Sequence, residues 1–176
     1  MTVAALLGLL SCRPAREEAL MDRLQTLSSM AELGTVEYKV KKIIKADDAV
    51  WYKYGDRKIL FSCTAYLKAG IDMREFSESD VTVDNAGGIT VTLPKAKLLT
   101  FNMPADEIRQ ELSIVNGLRF DFTPEEKQQL LAQGQQAIAD EVAGMGILDD
   151  AEANARHLFT ALLAQLGYEN ITINFR

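Results

Sequence analysis

Residues 58–94 read KILFSCTAYLKAGIDMREFSESDVTVDNAGGITVTLP, and this stretch decides the fold. Apolar and polar side chains alternate at both of its ends, which is the period of a β-strand with one buried face. Between these strands we expect a helical turn over residues 71–79 and a glycine turn at Gly87-Gly88, where positive φ angles carry no steric cost. Pro94 lacks an amide donor and ends the last strand. The stretch therefore predicts the middle of an antiparallel sheet.

Two further strand segments precede it. Residues 35–45 alternate between apolar and charged side chains, which predicts a half-buried strand. The turn at residues 54–56 predicts a hairpin whose second arm runs on as a long strand and ends at Ala69-Gly70. Cys63 falls on the apolar face of that arm, where we expect it to act as a small hydrophobic residue and not as a reactive thiol.

The C-terminal part of the chain changes to a helical period of 3.6 residues after Pro104. It predicts a modest helix over residues 105–112, then a helix that begins with the capping sequence of residues 123–126, then a last helix that ends at Gly167. A closing strand over residues 168–175 is expected to pair with the sheet that begins near residue 35. The fold class is therefore α+β, with an antiparallel sheet covered by C-terminal helices, an N-terminal helix and a returning C-terminal strand, in one domain over residues 35–176.

The N-terminal residues 1–12, MTVAALLGLLSC, are apolar but too few to cross a bilayer as a helix. They fit a signal peptide, and residues 9–12 are similar to a bacterial lipobox, which makes Cys12 a candidate for lipidation. No Lys or Arg precedes the apolar run, so a clipped membrane anchor or a buried helix is the alternative. Residues 13–34 predict an amphipathic helix that packs on its own sheet or, alternatively, serves as a stalk that pairs with another helix.

Composition excludes several classes of function. The 176 residues are 48% hydrophobic and carry a net charge of -6, which argues against a nucleic-acid partner, although the early sheet is locally basic. The only cysteines are Cys12 and Cys63 and the only histidine is His157, so a Cys/His zinc cluster is excluded, and we expect no metal and no cofactor. His157 lies on a helix beside apolar residues and is interpreted as a surface or core-edge residue. Nucleophile elbows, P-loops and dinucleotide fingerprints are missing.

Two groups of residues are candidates for a binding or catalytic site. Aromatic and basic side chains share the hairpin end, a combination that suits sugars, lipid headgroups or a protein partner, with simple hairpin packing as the alternative. This candidate binding group consists of Trp51, Tyr52, Tyr54, Arg57 and Lys58. The second group is acidic, and as a pocket with raised carboxylate pKa values it would favour a hydrolase. It consists of Asp72, Glu75 and Asp80, for which turn capping, with Asp72 as N-cap, is the alternative.

Four short motifs in a fixed order resemble an uncharacterised bacterial family, domain of unknown function 4230. They are Gly34-Thr35-x-Glu37-Tyr38, Ala69-Gly70-Ile71-Asp72, Leu93-Pro94, and Leu166-Gly167-Tyr168 before Ile171-Thr172-Ile173. The resemblance covers about residues 30–175 and implies the topology and a membrane-anchored place in the bacterial cell envelope, but no reaction and no catalytic residue.

Together these observations predict a membrane-anchored envelope domain, a periplasmic or outer-membrane lipoprotein, that acts as a non-catalytic binding module. Its expected partners are the membrane, through the N-terminal lipid or anchor, and an envelope protein or anionic lipid headgroups. The alternatives are a hydrolase that uses carboxylates near Asp72 and an envelope scaffold that oligomerises through the helix over residues 13–34.

Overall fold

The computed structural model of the chain describes residues 12–49, 54–84 and 86–176, and within them all side chains except those of residues 12–17, 28 and 49. The elements are α1 Cys12–Ser29, β1 Glu32–Ala49, β2 Asp56–Asp72, β3 Val81–Val83, β4 Ile89–Leu93, β5 Lys97–Asn102, β6 Arg109–Val115, α2 Pro124–Glu141, α3 Ile147–Gln165 and β7 Ile171–Phe175. Short 3-10 turns lie at Met73–Glu75, Glu78–Asp80, Ala105–Glu107 and Val142–Met145. The predicted α+β class is confirmed.

The strands form two sheets. The first has the order β1-β2-β5, with β6 also paired to β2 in antiparallel fashion. The second has the order β3-β4-β7, in which β3 and β4 are antiparallel and β4 and β7 are parallel. The C-terminal strand therefore returns to a sheet as predicted, but the expectation that it joins the sheet beginning near residue 35 is wrong. Strand β7 is parallel to β4. The chain between these two strands forms a long crossover through two strands and two helices, as a parallel pair requires.

The described residues divide into two compact units. Unit 1 contains the residues up to Thr35, residues 70–97 and residues 149–176, and unit 2 contains residues 36–69 and 98–148. Strands β1 and β2 contribute residues to both units. The assignment of residues 35–176 to one domain stays a prediction.

Unit 1 buries one side of α1 and one side of α3. Leu20, Leu24 and Leu27 of α1 are buried at helical spacing, as predicted. The helix ends at Ser29, earlier than predicted, because β1 begins at Glu32. Gly34 has a φ of 61°, and an added Cβ would lie 2.9 Å from the Cβ of Ala155, so only glycine lets β1 pass this close to α3. The buried side of α3 consists of Ala151, Ala155, Phe159 and Leu163.

Unit 2 is built on the alternating strand β2. Its buried face is the predicted one and consists of Ile59, Phe61, Cys63, Ala65 and Leu67. The strand runs past the predicted end at residues 69–70 and stops at Asp72. Helix α2 begins with the predicted capping box, in which the Thr123 hydroxyl accepts from the amide of Glu126 and the Glu126 carboxylate accepts from the amide of Thr123.

The predicted helix over residues 105–112 is wrong. Apart from a 3-10 turn at Ala105–Glu107, the segment forms strand β6, in which Leu112 lies opposite Leu60 and Ser113 opposite Ile59. Ala, Glu, Gln and Leu favour a helix in isolation, but hydrogen bonding to β2 outweighs these small intrinsic preferences. β6 is therefore an additional strand beside β2.

Candidate functional site

Asp72 is the end of β2 and the buried centre of the predicted acidic group. As predicted, it is the N-cap of the following turn, where its Oδ1 accepts from the amide of Arg74 at 3.1 Å. The Arg74 guanidinium donates to both carboxylate oxygens, at 2.8 and 2.6 Å, and Lys97 Nζ lies 3.0 Å from Oδ2. The hydrogen bonds from Arg74, and then from Lys97, hold the pKa of Asp72 well below its usual range.

The other two acidic residues have separate cationic partners. Glu75 accepts from Lys97 Nζ at 2.6 Å, so it shares this lysine with Asp72, whereas Asp80 pairs with Arg176. Burial alone would raise the pKa of Asp80, but hydrogen bonds from Arg176 and the Ser77 amide lower it below its usual value. The structure therefore pairs these carboxylates with cations and does not give Asp72 or Asp80 the raised pKa that a general acid needs at neutral pH. Within the described residues, no three His, Cys, Asp or Glu side chains are placed to hold a metal ion.

The basic residues of the hairpin group are neutralised by neighbouring carboxylates. Arg57 donates to Asp48 at 2.8 Å and to both oxygens of Glu126, and its guanidinium lies 4.4 Å from the centre of the Phe122 ring. Lys58 pairs with Asp47 at 2.8 Å. Hydrogen bonds from Arg57 lower the pKa values of Asp48 and Glu126, which keeps both carboxylates ionised at neutral pH. Arg57 is therefore a structural centre of unit 2 and not a free cation.

The remaining members of the hairpin group are aromatic. Trp51 and Tyr52 lie outside the described residues. Tyr54 is 79% exposed, and its carbonyl accepts from the amide of Leu118 at 3.3 Å, which joins the hairpin end to the loop that follows β6. We call Tyr54, Gly55 and residues 116–120 the two-loop tip.

The two loops of the tip touch through glycines. Gly55 and Gly117 have φ angles of 101° and 71°, and a Cβ on Gly55 would lie 2.0 Å from the carbonyl oxygen of Asn116. Beyond this contact Leu118 is 84% exposed and Phe120 is 89% exposed. The tip therefore presents two large apolar side chains and a tyrosine to solvent on a closely packed backbone.

Arg119 holds the second loop in place. Its side chain is only 7% exposed, and its Nη2 donates to Asp48 Oδ2 at 2.6 Å. Its Nη1 has no hydrogen-bond partner among the residues that the structure describes. Arg119 is thus a nearly buried side chain between two exposed neighbours, Leu118 and Phe120.

Strand β6 leads directly into the tip and is exposed along its whole length. All seven of its residues are exposed, although it is hydrogen-bonded to β2, and within the described residues no strand pairs with its second edge. The large apolar side chains among them are Leu112, Ile114 and Val115. An exposed strand whose second half is largely apolar, and which continues into an exposed apolar tip, is the kind of surface that marks an interaction site.

A polar groove of about 740 Å³ lies on the exposed face of β1 and β2, with Lys41, Ser62 and Arg109 among its lining residues. Two of its charged groups, Glu107 and Lys39, form an ion pair. Glu107 accepts from the Tyr66 hydroxyl at 2.5 Å and lies 3.8 Å from Lys39 Nζ, and the bond from Tyr66 lowers the pKa of Glu107. An adjoining groove of about 390 Å³ is lined by Tyr38, Tyr66, Thr100 and Asn102 among others. These grooves can accept a polar ligand.

The single histidine and the described cysteine lie where the sequence predicted. His157 is exposed on α3. Cys63 is buried, its Sγ lies 3.5 Å from the carbonyl oxygen of Lys42, and burial raises the pKa of its thiol. The thiolate needed for nucleophilic chemistry is therefore disfavoured at Cys63. The side chain of Cys12 lies outside the described residues.

No helix in the described part of the chain is both long and apolar enough to span a bilayer. No curated protein and no solved structure matches the chain. A family model does match residues 25–173, which include β1 to α3, the two-loop tip and the Asp72 group. The chain therefore belongs to the family described as "Protein of unknown function (DUF4230)".

Proposed function

We propose that the chain is a non-catalytic interaction domain, tethered to a membrane of the bacterial cell envelope, that binds an extended segment of a protein partner along β6. The observation that carries this proposal is the exposure of all seven residues of β6, whose second edge is paired by none of the strands that the structure describes. The unpaired edge of a strand offers a row of backbone donors and acceptors that an extended polypeptide matches.

The two ends of β6 differ in how they are protected against pairing. Arg109 and Glu111 place charges at its beginning, and the register shifts between Leu60 and Phe61 of the partner strand, which interrupts the ladder. Leu112 to Val115 have neither a charged side chain nor a register shift, and they are largely apolar. Proteins usually block such an edge with charge, proline or a covering element. The unblocked end of β6 therefore favours a partner strand over a purely structural role.

The two alternative functions have less support. A hydrolase centred on Asp72 needs a proton donor or a free base, whereas Asp72 is buried, bonded to Arg74 and Lys97, and has a lowered pKa. A scaffold that oligomerises through the N-terminal helix needs free leucines there. Leu20 and Leu24 are instead buried within unit 1.

The proposed membrane tether is a diacylglyceryl group on Cys12. Acyl chains contribute about 0.8 kcal/mol for each CH₂ group that enters the bilayer, so a diacylated cysteine would hold the domain at a membrane surface. Mass spectrometry of the N-terminal peptide from the native membrane tests this. We expect a peptide that begins at acylated Cys12, and a Cys12→Ser variant that is no longer processed. An unmodified peptide that still contains residues 1–11 would contradict the tether but not the β6 interface.

The β6 interface is tested with a photo-crosslinking amino acid, p-benzoyl-phenylalanine, placed at Leu112 and, as a control, at Leu158. These leucines are 44% and 45% exposed and lie in different units, so they differ in location but not in accessibility. We expect crosslinks from position 112 to concentrate in one contiguous segment of one envelope protein. Position 158 should give only scattered products.

A variant with Leu112→Lys and Ile114→Lys distinguishes crosslinking that depends on strand pairing from crosslinking that arises from chance proximity. Two charges on the free edge should abolish capture by a crosslinker placed at Ser113, while the far-ultraviolet circular dichroism spectrum stays unchanged because both positions are exposed. In the purified complex, amide hydrogen exchange over residues 109–115 should slow. Identical crosslinking from positions 112 and 158, or unchanged exchange in β6, would rule out strand addition.

A further inference from the structure

We propose that the two-loop tip enters the interfacial region of a lipid bilayer, with Tyr54, Leu118 and Phe120 as the inserting side chains. This inference concerns a surface other than the free edge of β6 and does not depend on a protein partner there. The ligand is the bilayer itself, in its headgroup and upper acyl region.

The three side chains project from the tip. Tyr54, Leu118 and Phe120 have 79% to 89% of their surfaces exposed. A protein partner must offer a matching pocket for each such side chain, because hot-spot residues act in well-packed pockets. A fluid bilayer closes around a projecting apolar group without a preformed shape. A convex tip with isolated apolar side chains therefore fits a lipid surface better than a protein surface.

The composition of the tip suits a membrane interface. An aliphatic and an aromatic side chain, Leu118 and Phe120, stand beside Tyr54, whose apolar ring and polar hydroxyl suit the boundary between headgroups and acyl chains. Tyrosine is one of the residues enriched at membrane interfaces.

The described cations beside the tip in the chain are paired with carboxylates. Arg57 binds Glu126 and Asp48, Arg119 binds Asp48, and Lys58 binds Asp47. Among the residues that the structure describes, little free positive charge therefore remains beside the tip to attract anionic headgroups, so insertion rests on apolar contact. The association should accordingly change little when salt is added, in contrast to binding by a polybasic patch.

The backbone of the tip is tightly packed. Gly55 and Gly117 let the two loops come into close contact, and Arg119, between Leu118 and Phe120, is nearly buried and bound to Asp48. Loops that are already ordered lose little conformational entropy on insertion. Two large apolar side chains on an ordered loop are unfavourable in water, and their burial in a lipid bilayer would account for this arrangement.

The test places a single tryptophan at the tip of the full chain. Trp51 is the only tryptophan, so Trp51→Phe with Phe120→Trp reports on position 120 alone, and Trp51→Phe with Leu158→Trp is the control in unit 1. Each variant is mixed with vesicles of zwitterionic phosphatidylcholine. We expect a blue shift of the emission at position 120 and quenching by lipids brominated on the upper acyl carbons, with no change at position 158. The comparison also removes any contribution of apolar residues 1–12, which both variants share.

A further substitution, Leu118→Ser in the Phe120→Trp variant, should weaken vesicle binding by about tenfold, since it removes one leucine that would be buried in lipid. Its unfolding curve should match that of the parent, because Leu118 is 84% exposed in the folded chain. Emission at position 120 that stays unshifted overturns the proposal. So does binding that requires anionic lipid and disappears in high salt. Crosslinking from β6 is independent of both results, so failure here leaves the proposed strand addition standing.

Discussion

Gly134 of helix α2 lies directly against Ile44 of strand β1. A Cβ on Gly134 would sit 2.0 Å from Cδ1 and 2.5 Å from Cγ1 of Ile44, so the helix can approach the sheet only because this position has no side chain. We expect Gly134→Ala to lower the free energy of unfolding by about 1–2 kcal/mol, because the cost of overpacking exceeds the gain in helix propensity. Urea unfolding followed by circular dichroism measures the change.

The effect of Gly134→Ala on the free energy of unfolding should change sign when the Ile44 side chain is truncated. In an Ile44→Ala background the clash is gone, and Gly134→Ala should then stabilise by roughly 0.5–1 kcal/mol through helix propensity alone. Gly144→Ala serves as the control, since nothing lies within 4 Å of its added Cβ. A Gly134→Ala loss that is as large without the Ile44 side chain as with it would disprove the close contact.

The glycines of the two-loop tip should be more costly to replace than an open glycine with a similar backbone angle. Gly55→Ala combines a left-handed φ with a contact of 2.0 Å to Asn116, whereas Gly87→Ala has a φ of 87° and nothing within 4 Å of the added Cβ. We expect Gly87→Ala to cost about 1–2 kcal/mol from the backbone angle and Gly55→Ala clearly more. Thermal and urea unfolding of the two variants measure the difference, and equal losses would show that the loops do not touch.

Much of the fold could be predicted from the sequence where one local signal dominates. The alternation of residues 59–67 gave the buried face of β2, and the capping residues Thr123 and Glu126 gave the start of α2. The role of Asp72 as an N-cap was also accessible, because it follows a strand and precedes a short turn. In each case the information lies within a few neighbouring residues.

The proposed interaction surface could not be predicted, because non-local pairing decides it. Residues 105–112 have the composition of a helix, and only pairing with β2 makes the end of this segment a strand. Leu118 and Phe120 alternate around Arg119, a pattern that equally fits a short half-buried strand. The buried ion pair from Arg119 to Asp48 joins residues 71 positions apart and fixes which side chains face solvent. The partners of the basic hairpin group were likewise not predictable, since the acids that neutralise Arg57 include Glu126, far away in the sequence.

Arg57 and Lys58 are neighbours in the chain, but substituting them should have different effects on the free energy of unfolding. Arg57→Ala removes the partner of two carboxylates and the cation over the Phe122 ring, so we expect a loss of about 2 kcal/mol in the free energy of unfolding. Lys58→Ala removes only an exposed pair with Asp47 and should leave stability nearly unchanged. Urea unfolding of both variants distinguishes them. If Lys58→Ala proves as costly as Arg57→Ala, the ion pairs of Arg57 do not organise unit 2.

Asp72 should make the free energy of unfolding depend on pH in the acidic range. Its pKa in the folded chain lies below the ordinary value of 3.8, so the folded state binds the proton less readily than the unfolded state does. The stabilisation from its pairs with Arg74 and Lys97 is therefore complete above about pH 4 and is lost as the pH falls below that value.

The Asp72→Asn variant tests this sign directly. The amide cannot ionise, so the variant should have a lower free energy of unfolding than the parent at about pH 7. The difference between the two proteins should narrow at about pH 3, because the parent loses the stabilisation from the Asp72 ion pairs as the pH falls. Glu169→Gln is the matched control, since Glu169 is an exposed carboxylate of the same unit and its substitution likewise replaces one carboxylate with an amide. Unfolding curves for the three proteins at both pH values supply the comparison. A gap between parent and Asp72→Asn that stays constant or widens toward acid would show that the carboxylate is not held ionised by its cations, and would reopen Asp72 as a proton donor.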